Sequence, residues 1–264
     1  MGVEILLEPF KYDFMIRSFV TALLSGTMLS ILGTFTINKN MGFMADAMAH
    51  ATLPIIAVGV FFGFSISELG APAAILIALF LGFIIKNTNI GEDTSIGIIF
   101  SSFFALGFIL ISVLDVSINL EDLLFGQILA VSASDVAVIS TLFVVVLSTL
   151  FIFFKQILFY SFDPIGAQVR DLNVTFLNYL FLIILSLSIV SSLQTVGIVL
   201  VLSMLLIPAA AAKLVSRTFT GSLRLVQFLE QPLQLLVYIC LITSTSHQDR
   251  QCLWLLQVFL YYLF

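Results

Sequence analysis

Apolar blocks of about 20 residues, each long enough to cross a hydrocarbon core of roughly 30 Å, recur along almost the whole chain. The first runs from about Phe14 to Ile37, with Gly26 and Gly33 as positions where another helix can approach closely. A tight polar turn, Asn38-Lys39-Asn40, separates it from a second block, about Phe43 to Phe64, which carries Asp46, His50 and Pro54. That block ends in Gly59-Val60-Phe61-Phe62-Gly63, a GxxxG that taken alone reads as ordinary packing rather than a dimerisation face. A third block covers about Leu69 to Ile85 and, after the polar loop Lys86 to Thr94, a fourth covers about Ile96 to Leu114. From Asp115 to Asp135 the chain is mixed, and its apolar run Leu123 to Leu129 is too short to span, which predicts a re-entrant or interfacial helix. A fifth block follows, about Val136 to Phe154. A sixth, about Phe176 to Leu193, and a seventh, about Val196 to Leu214, are joined by a turn at Gln194-Thr195, with a kink expected at Pro208 before Ala209 to Ala212.

The predicted fold is all-α, a polytopic membrane helical bundle of about eight transmembrane helices, in one domain over 1–264. The longest polar interval, Lys155 to Asn173, interrupts it. Asp163 before Pro164 fits an N-cap followed by proline at the first helical position, which predicts a short helix; a solvated connector is the other reading.

Composition agrees with the pattern. The chain is 61% hydrophobic and only 9% charged, against about 25% charged in ordinary globular domains. Its net charge of −5 is scattered over loops with no basic cluster, which argues against a nucleic-acid partner. The start, Met1 to Asp13, lacks the basic region and cleavage site of a secretory signal. Lys39, Lys86, Lys155 with Arg170, and Lys213 with Arg217 fall in alternate loops, which by the positive-inside rule are cytoplasmic and place the N-terminus outside; Lys11 and Arg17 oppose this orientation.

One constellation carries chemistry. Asp46 and His50 are about one helical turn apart, so a helix puts both on one face. An Asp at membrane depth costs roughly 2.5 to 3.5 kcal/mol on insertion scales, so it faces a cavity or a partner and is functional by default. Ala45, Ala47, Ala49 and Ala51 leave space beside the pair. The bland alternative is a hydrogen-bonded packing histidine. As a metal site, one carboxylate and one imidazole are too few, because transition-metal sites commonly use four ligands or more. Two copies across a two-fold axis would supply two of each, a set that suits Mn, Fe or Zn. There is no nucleophile elbow, no H-E-x-x-H and no phosphate-binding G-x-x-x-x-G-K-[ST], since none of the lysines follows a glycine. A pump built on this chain needs a separate ATPase subunit, and a carrier needs an ion gradient.

The run Met41-Gly42-Phe43-Met44-Ala45-Asp46-Ala47-Met48-Ala49-His50-Ala51-Thr52-Leu53-Pro54 resembles the signature "sfmgDAlsHavLPG" of the metal-ion ABC permeases that import manganese, zinc or iron. The likeness continues through Glu92 to Ile98, Leu124 to Val131, Ser161-Phe162-Asp163 with Ala167, and Gln194 to Gly197 leading to Leu206-Ile207-Pro208-Ala209-Ala210. It covers about Phe14 to Val215 and, within the family, is strongest to the streptococcal-type manganese permeases. The resemblance implies a multi-pass permease of the bacterial plasma membrane that pairs with a second copy of itself, two cytoplasmic ATP-binding subunits and an extracellular metal-binding lipoprotein. It implies no permanently bound cofactor, a transported divalent metal (Mn²⁺ first, Zn²⁺ or Fe²⁺ next), and metal contacts at Asp46 and His50. The Ser-Phe-Asp segment resembles the coupling helix that docks on the ATPase, which makes Phe162, Asp163 and Ala167 the expected contacts. Family members usually carry glycine where Asp171 stands, and Pro164 is also a departure.

From about Leu223 the resemblance ends, and Gln, Arg, Cys, Trp and His cluster for the first time. Residues 223–264 are read as an atypical tail produced by a reading-frame slip near Ser222. Regrouping each codon's third base with the next two lets Cys240 to Cys252 encode SHNFNIPSGSAM, which is similar to the family's last loop. On that reading Cys240, Cys252, Trp254 and His247 do not belong to the native protein. Two rivals to an ATP-driven importer stay open at this point: a gradient-driven carrier in which Asp46 and His50 relay protons, and a membrane scaffold in which they only pack.

Overall fold

The computed structural model describes residues 12–88, 90–115, 126, 131–216, 218–219 and 221–227. The segment Leu123 to Leu129, apart from Gly126, and almost all of the atypical tail, with both cysteines, Trp254 and His247, lie outside the described residues.

Helices α1 (Asp13–Asn38), α2 (Met44–Ala51), α3 (Leu53–Phe61), α4 (Ile66–Asn87), α5 (Glu92–Val113), α6 (Ala133–Phe162), α7 (Pro164–Val169), α8 (Val174–Val196) and α9 (Ile198–Val215) follow one another without a strand among the described residues. With α2 and α3 counted together, seven spans among the described residues are long and apolar enough to cross a membrane. α1 runs through the middle of the bundle against α9, α6 and α8, while α2 packs on α5, α8 and α9, and α4 lies along α8.

The central helix is rich in hydroxyls, which lipid would penalise if they were unsatisfied. Most turn back on their own helix: Ser18 Oγ donates to Phe14 O at 2.8 Å, Ser25 Oγ to Thr21 O at 2.7 Å and Thr36 Oγ1 to Leu32 O at 2.9 Å. The helix thereby presents small, self-satisfied side chains, and contact between helices rests on close approach rather than on the hydrophobic effect. Gly33 is the clearest case, because a Cβ there would overlap the carbonyl of Leu205 in α9. Of the GxxxG pair, Gly59 is covered by Leu69 of the same chain, and Gly63 lies beyond α3 in a turn at φ +88.

Three predicted boundaries move. The second block is two helices, because Pro54 has no N–H to give the carbonyl of His50 one turn back, and the chain is interrupted at Thr52. The sixth and seventh spans join at Gly197 (φ 86), whereas Gln194 and Thr195 remain in α8, where Gln194 Nε2 donates to Ile66 O at 3.0 Å. The fifth span continues through Lys155 and Gln156 to Phe162, since a lysine lays its apolar stem along the helix and Ile157-Leu158-Phe159-Tyr160 resume the buried stripe. Pro208 is accommodated, buried, inside α9.

The short helix is where Asp163 and Pro164 put it: Asp163 Oδ1 accepts the Gly166 N–H at 2.8 Å, and Pro164 opens α7. Asp171 has φ 57, the left-handed region that glycine enters without penalty and where the family resemblance expects one.

Candidate functional site: an acid and imidazole pair on a short helix

α2 is eight residues long, and six of them, Met44, Ala45, Ala47, Met48, Ala49 and Ala51, are buried. The two that are not are Asp46 and His50, whose side chains keep 25% and 23% of their surface. The alternation of alanine with polar residues therefore does what the sequence requires: small side chains sink the helix between α5, α8 and α9 while the acid and the imidazole stay at its open edge.

His50 Nε2 lies 3.7 Å from Asp46 Oδ1, too far for a hydrogen bond, and His50 Nδ1 is buried with no hydrogen-bond partner among the described residues. A packing histidine would have its nitrogens paired, because a buried polar atom left unpaired costs about 1–3 kcal/mol. Orientation comes instead from aromatic edges. The rings of Phe100 and Phe104, one turn apart on α5 and stacked on each other at 5.9 Å, meet the imidazole edge-to-face with centroids 5.4 and 5.0 Å away. Phe43, just before α2, packs on Phe100 in turn at 5.3 Å. In the sequence Phe100 and Phe104 look like any lipid-facing phenylalanine in an apolar span, and only their one-turn spacing hints at the shared face of this aromatic clamp.

No group of three or more His, Cys, Asp or Glu converges among the described residues. A single chain thus offers a carboxylate and an imidazole with free lone pairs, and no complete coordination sphere. The outward apolar faces of α5 (Phe108, Ile109, Val113) and α6 (Val144, Phe151, Ile152) are exposed in this single chain.

The second candidate region is the end of the bundle that carries α7. Phe162 is exposed and meets the Phe219 ring edge-to-face at 5.6 Å, and Asp163 is exposed at the α7 cap. Ala167 is fully buried beneath α7, while Ile165 and Val169, which the sequence reading passed over, stand out into the surroundings. A cavity of about 540 Å³ lies beside α7 between Lys155, Gln156, Phe159, Phe162 and Arg170.

At the same end the structure buries a charge that the sequence analysis placed in a loop. Lys39, at the C-cap of α1, is 8% exposed and donates to Glu92 Oε1 at 2.9 Å, Tyr160 Oη at 2.9 Å and Asn178 Oδ1 at 3.3 Å. Burial pulls its ammonium below the usual lysine range against the opposing attraction of Glu92. These contacts also fix the course of the chain. α5 begins and α6 ends at the Lys39 end, so α5 leaves the bundle and α6 enters it at the opposite one.

Seven apolar spans among the described residues, one of them carrying a part-exposed acid and imidazole pair, define a multi-pass membrane protein. The ABC 3 transport family matches residues 11–231, and the chain belongs to that family. It is a permease of the ABC transporter class in the bacterial membrane. The manganese transport system membrane protein MntC of Listeria monocytogenes is 41% identical over 206 residues, 78% of this chain and 74% of that protein. The chelated iron transport system membrane protein YfeD of Yersinia pestis is 36% identical over 219 residues, 83% of this chain and 74% of that protein. Among solved structures, PsaBC from Streptococcus pneumoniae in complex with Fab is similar with a TM-score of 0.80 at 31% identity, covering 99% of this chain and 95% of that one.

Proposed function

We propose that this chain is the membrane-spanning subunit of an ATP-driven importer of divalent transition metal, with Mn²⁺ the favoured cargo, and that Asp46 and His50 contact the ion on its path. The observation that carries the proposal is the pair itself: an oxygen and a nitrogen ligand on the part-exposed edge of an otherwise sunken helix, with no group of three or more His, Cys, Asp or Glu around it among the described residues. A second copy facing the first completes the set, giving two carboxylates and two imidazoles around one ion on the two-fold axis. The manganese and iron systems to which the relatives belong support that cargo class, with manganese first by the MntC likeness. ATP is hydrolysed by separate cytoplasmic subunits that dock on α7, with Phe162 and Asp163 as contacts beside Ile165 and Val169; Ala167 serves as the footing on which α7 rests. An extracellular metal-binding lipoprotein delivers the ion. Residues 223–264 are proposed to be a frame-slip product; resequencing the gene with the present frame intact would reject that part.

Uptake of radiolabelled Mn²⁺ by cells carrying Asp46→Ala or His50→Ala tests the site. The expected outcome is loss of accumulation with the ATP-binding subunits still assembled, and one Mn²⁺ bound per two wild-type chains. Wild-type uptake in both variants rejects the site. Uptake that survives deletion of the ATPase gene but collapses with an uncoupler favours a gradient-driven carrier instead.

A further inference from the structure

Lys39 joins four helix ends with one ammonium. Its three protons have three acceptors: Glu92 in the first turn of α5, Tyr160 in the last turn of α6 and Asn178 in the second turn of α8. Its Nζ also stands 4.3 Å from the centroid of the Tyr160 ring and 5.4 Å from that of Phe181. Stability alone does not account for such a cluster, since well-packed apolar residues commonly replace a buried ion pair at no loss. Its location does. Tyr160 and Asn178 flank α7: Tyr160 is one turn before Pro164, and Asn178 follows the tight turn at Asp171 that leads out of α7.

The other two members lead to the metal pair. Lys39 reaches α2 through a short link held by Met41 N–H to Thr36 O at 2.9 Å and Met44 N–H to Met41 O at 3.0 Å, so the link has little slack. Glu92 opens α5, the helix whose Phe100 and Phe104 grip His50. Two of the helices on which α2 packs, α5 and α8, and the two that flank α7, α6 and α8, therefore share one donor.

We propose that Lys39 is the positioning residue that links α7 to the metal pair: with its three bonds in place, α1, α5, α6 and α8 move as one block when α7 moves, and the Asp46/His50 geometry changes with them. The proposal rests on the transport function above and deepens it. Without Lys39 the flanks of α7 move while α2 and α5 stay, so ATP is consumed without import.

The test uses the complete transporter, permease pair with its ATP-binding subunits and metal-binding protein, reconstituted in liposomes, with Mn²⁺ uptake and phosphate release measured on the same sample. In Lys39→Met, Mn²⁺ binding to the permease stays at the wild-type level while ions imported per ATP fall roughly 5- to 150-fold, the range of a coupling free energy between linked sites. Lys39→Arg, which keeps charge and donors, restores part of the ratio, a rescue that a purely structural role does not predict for the larger side chain. Tyr160→Phe, which removes one acceptor and leaves the ring in place, gives a smaller fall and serves where Lys39→Met does not reach the membrane. An unchanged ratio in Lys39→Met, or in Tyr160→Phe where that variant must stand in, overturns the linkage. The Asp46→Ala control separates the two claims. If it loses Mn²⁺ binding while the Lys39 variants couple normally, only the linkage fails; if it binds and imports as wild type, the metal reading fails and the linkage with it.

Discussion

Lys39 and His50 stand on either side of the same short link, and their surroundings obey opposite rules. The lysine is nearly sealed from solvent, and each of its protons has an acceptor on a different helix. The histidine keeps part of its surface, its nearest carboxylate oxygen is 3.7 Å away, and one ring nitrogen has no polar partner. In the first cluster the protein has used every valence and obtained a strut. In the second it packs the imidazole between aromatic edges and pairs neither side chain closely. A fully bonded polar group inside a membrane bundle is thus a structural statement, and an under-bonded acid and imidazole pair is where a ligand is to be tested for.

Four tests would break or sharpen this contrast. The largest effect is expected at the open pair, where His50→Ala or Asp46→Ala removes metal uptake while the thermal midpoint of the purified permease shifts little, since a part-exposed pair 3.7 Å apart contributes about 0–1 kcal/mol. A large drop in the midpoint would mean that the pair is a strut after all. Next is Glu92→Gln, which leaves a buried ammonium without its counter-charge and should destabilise the fold by about 3–5 kcal/mol, read as a lowered unfolding temperature in detergent. The double variant Lys39→Met with Glu92→Gln should recover most of that stability; failure to recover it would show that the cluster's contribution is not the ion pair. Third, Phe104→Leu removes one aromatic edge from His50 and should weaken Mn²⁺ binding by about 0.5–1.5 kcal/mol, up to roughly tenfold, with folding intact. An unchanged dissociation constant would show that packing against α5 does not orient the imidazole. Smallest is Asp171→Gly, which relieves the left-handed backbone after α7 and should raise stability by about 1 kcal/mol or less.

The two clusters also differ in how far the sequence discloses them. Asp46 and His50 lie within one helical turn, so their shared face follows from helix geometry once an apolar helix is recognised. The partners of Lys39 are 53, 121 and 139 positions away, and no local pattern relates them. What the sequence does hold is a lysine pressed against an apolar block, an acid opening α5, and an asparagine inside an apolar span; each is explicable alone, and only the fold assembles them. The spans themselves were legible because length and hydropathy are properties of a segment. Their ends were less so, since Lys155 marks where a helix meets water and not where it stops. Ala167 shows the same limit at one residue: the motif brought attention to it, but which side of a two-turn helix faces inward is decided by what the helix rests on.

The length of α6 has a mechanical consequence. Its 30 residues extend about 45 Å at 1.5 Å each, while the hydrocarbon layer is roughly 30 Å thick and a usual tilt of about 20° takes up little of the excess. Lys155 falls near the boundary, and the two turns from Gln156 to Phe162 continue beyond it with Ile157 and Tyr160 still packed against the neighbouring helices and α7 across the end. A load applied to α7 therefore passes into the bundle through these packed turns, and a small push at the end becomes a torque on the spans.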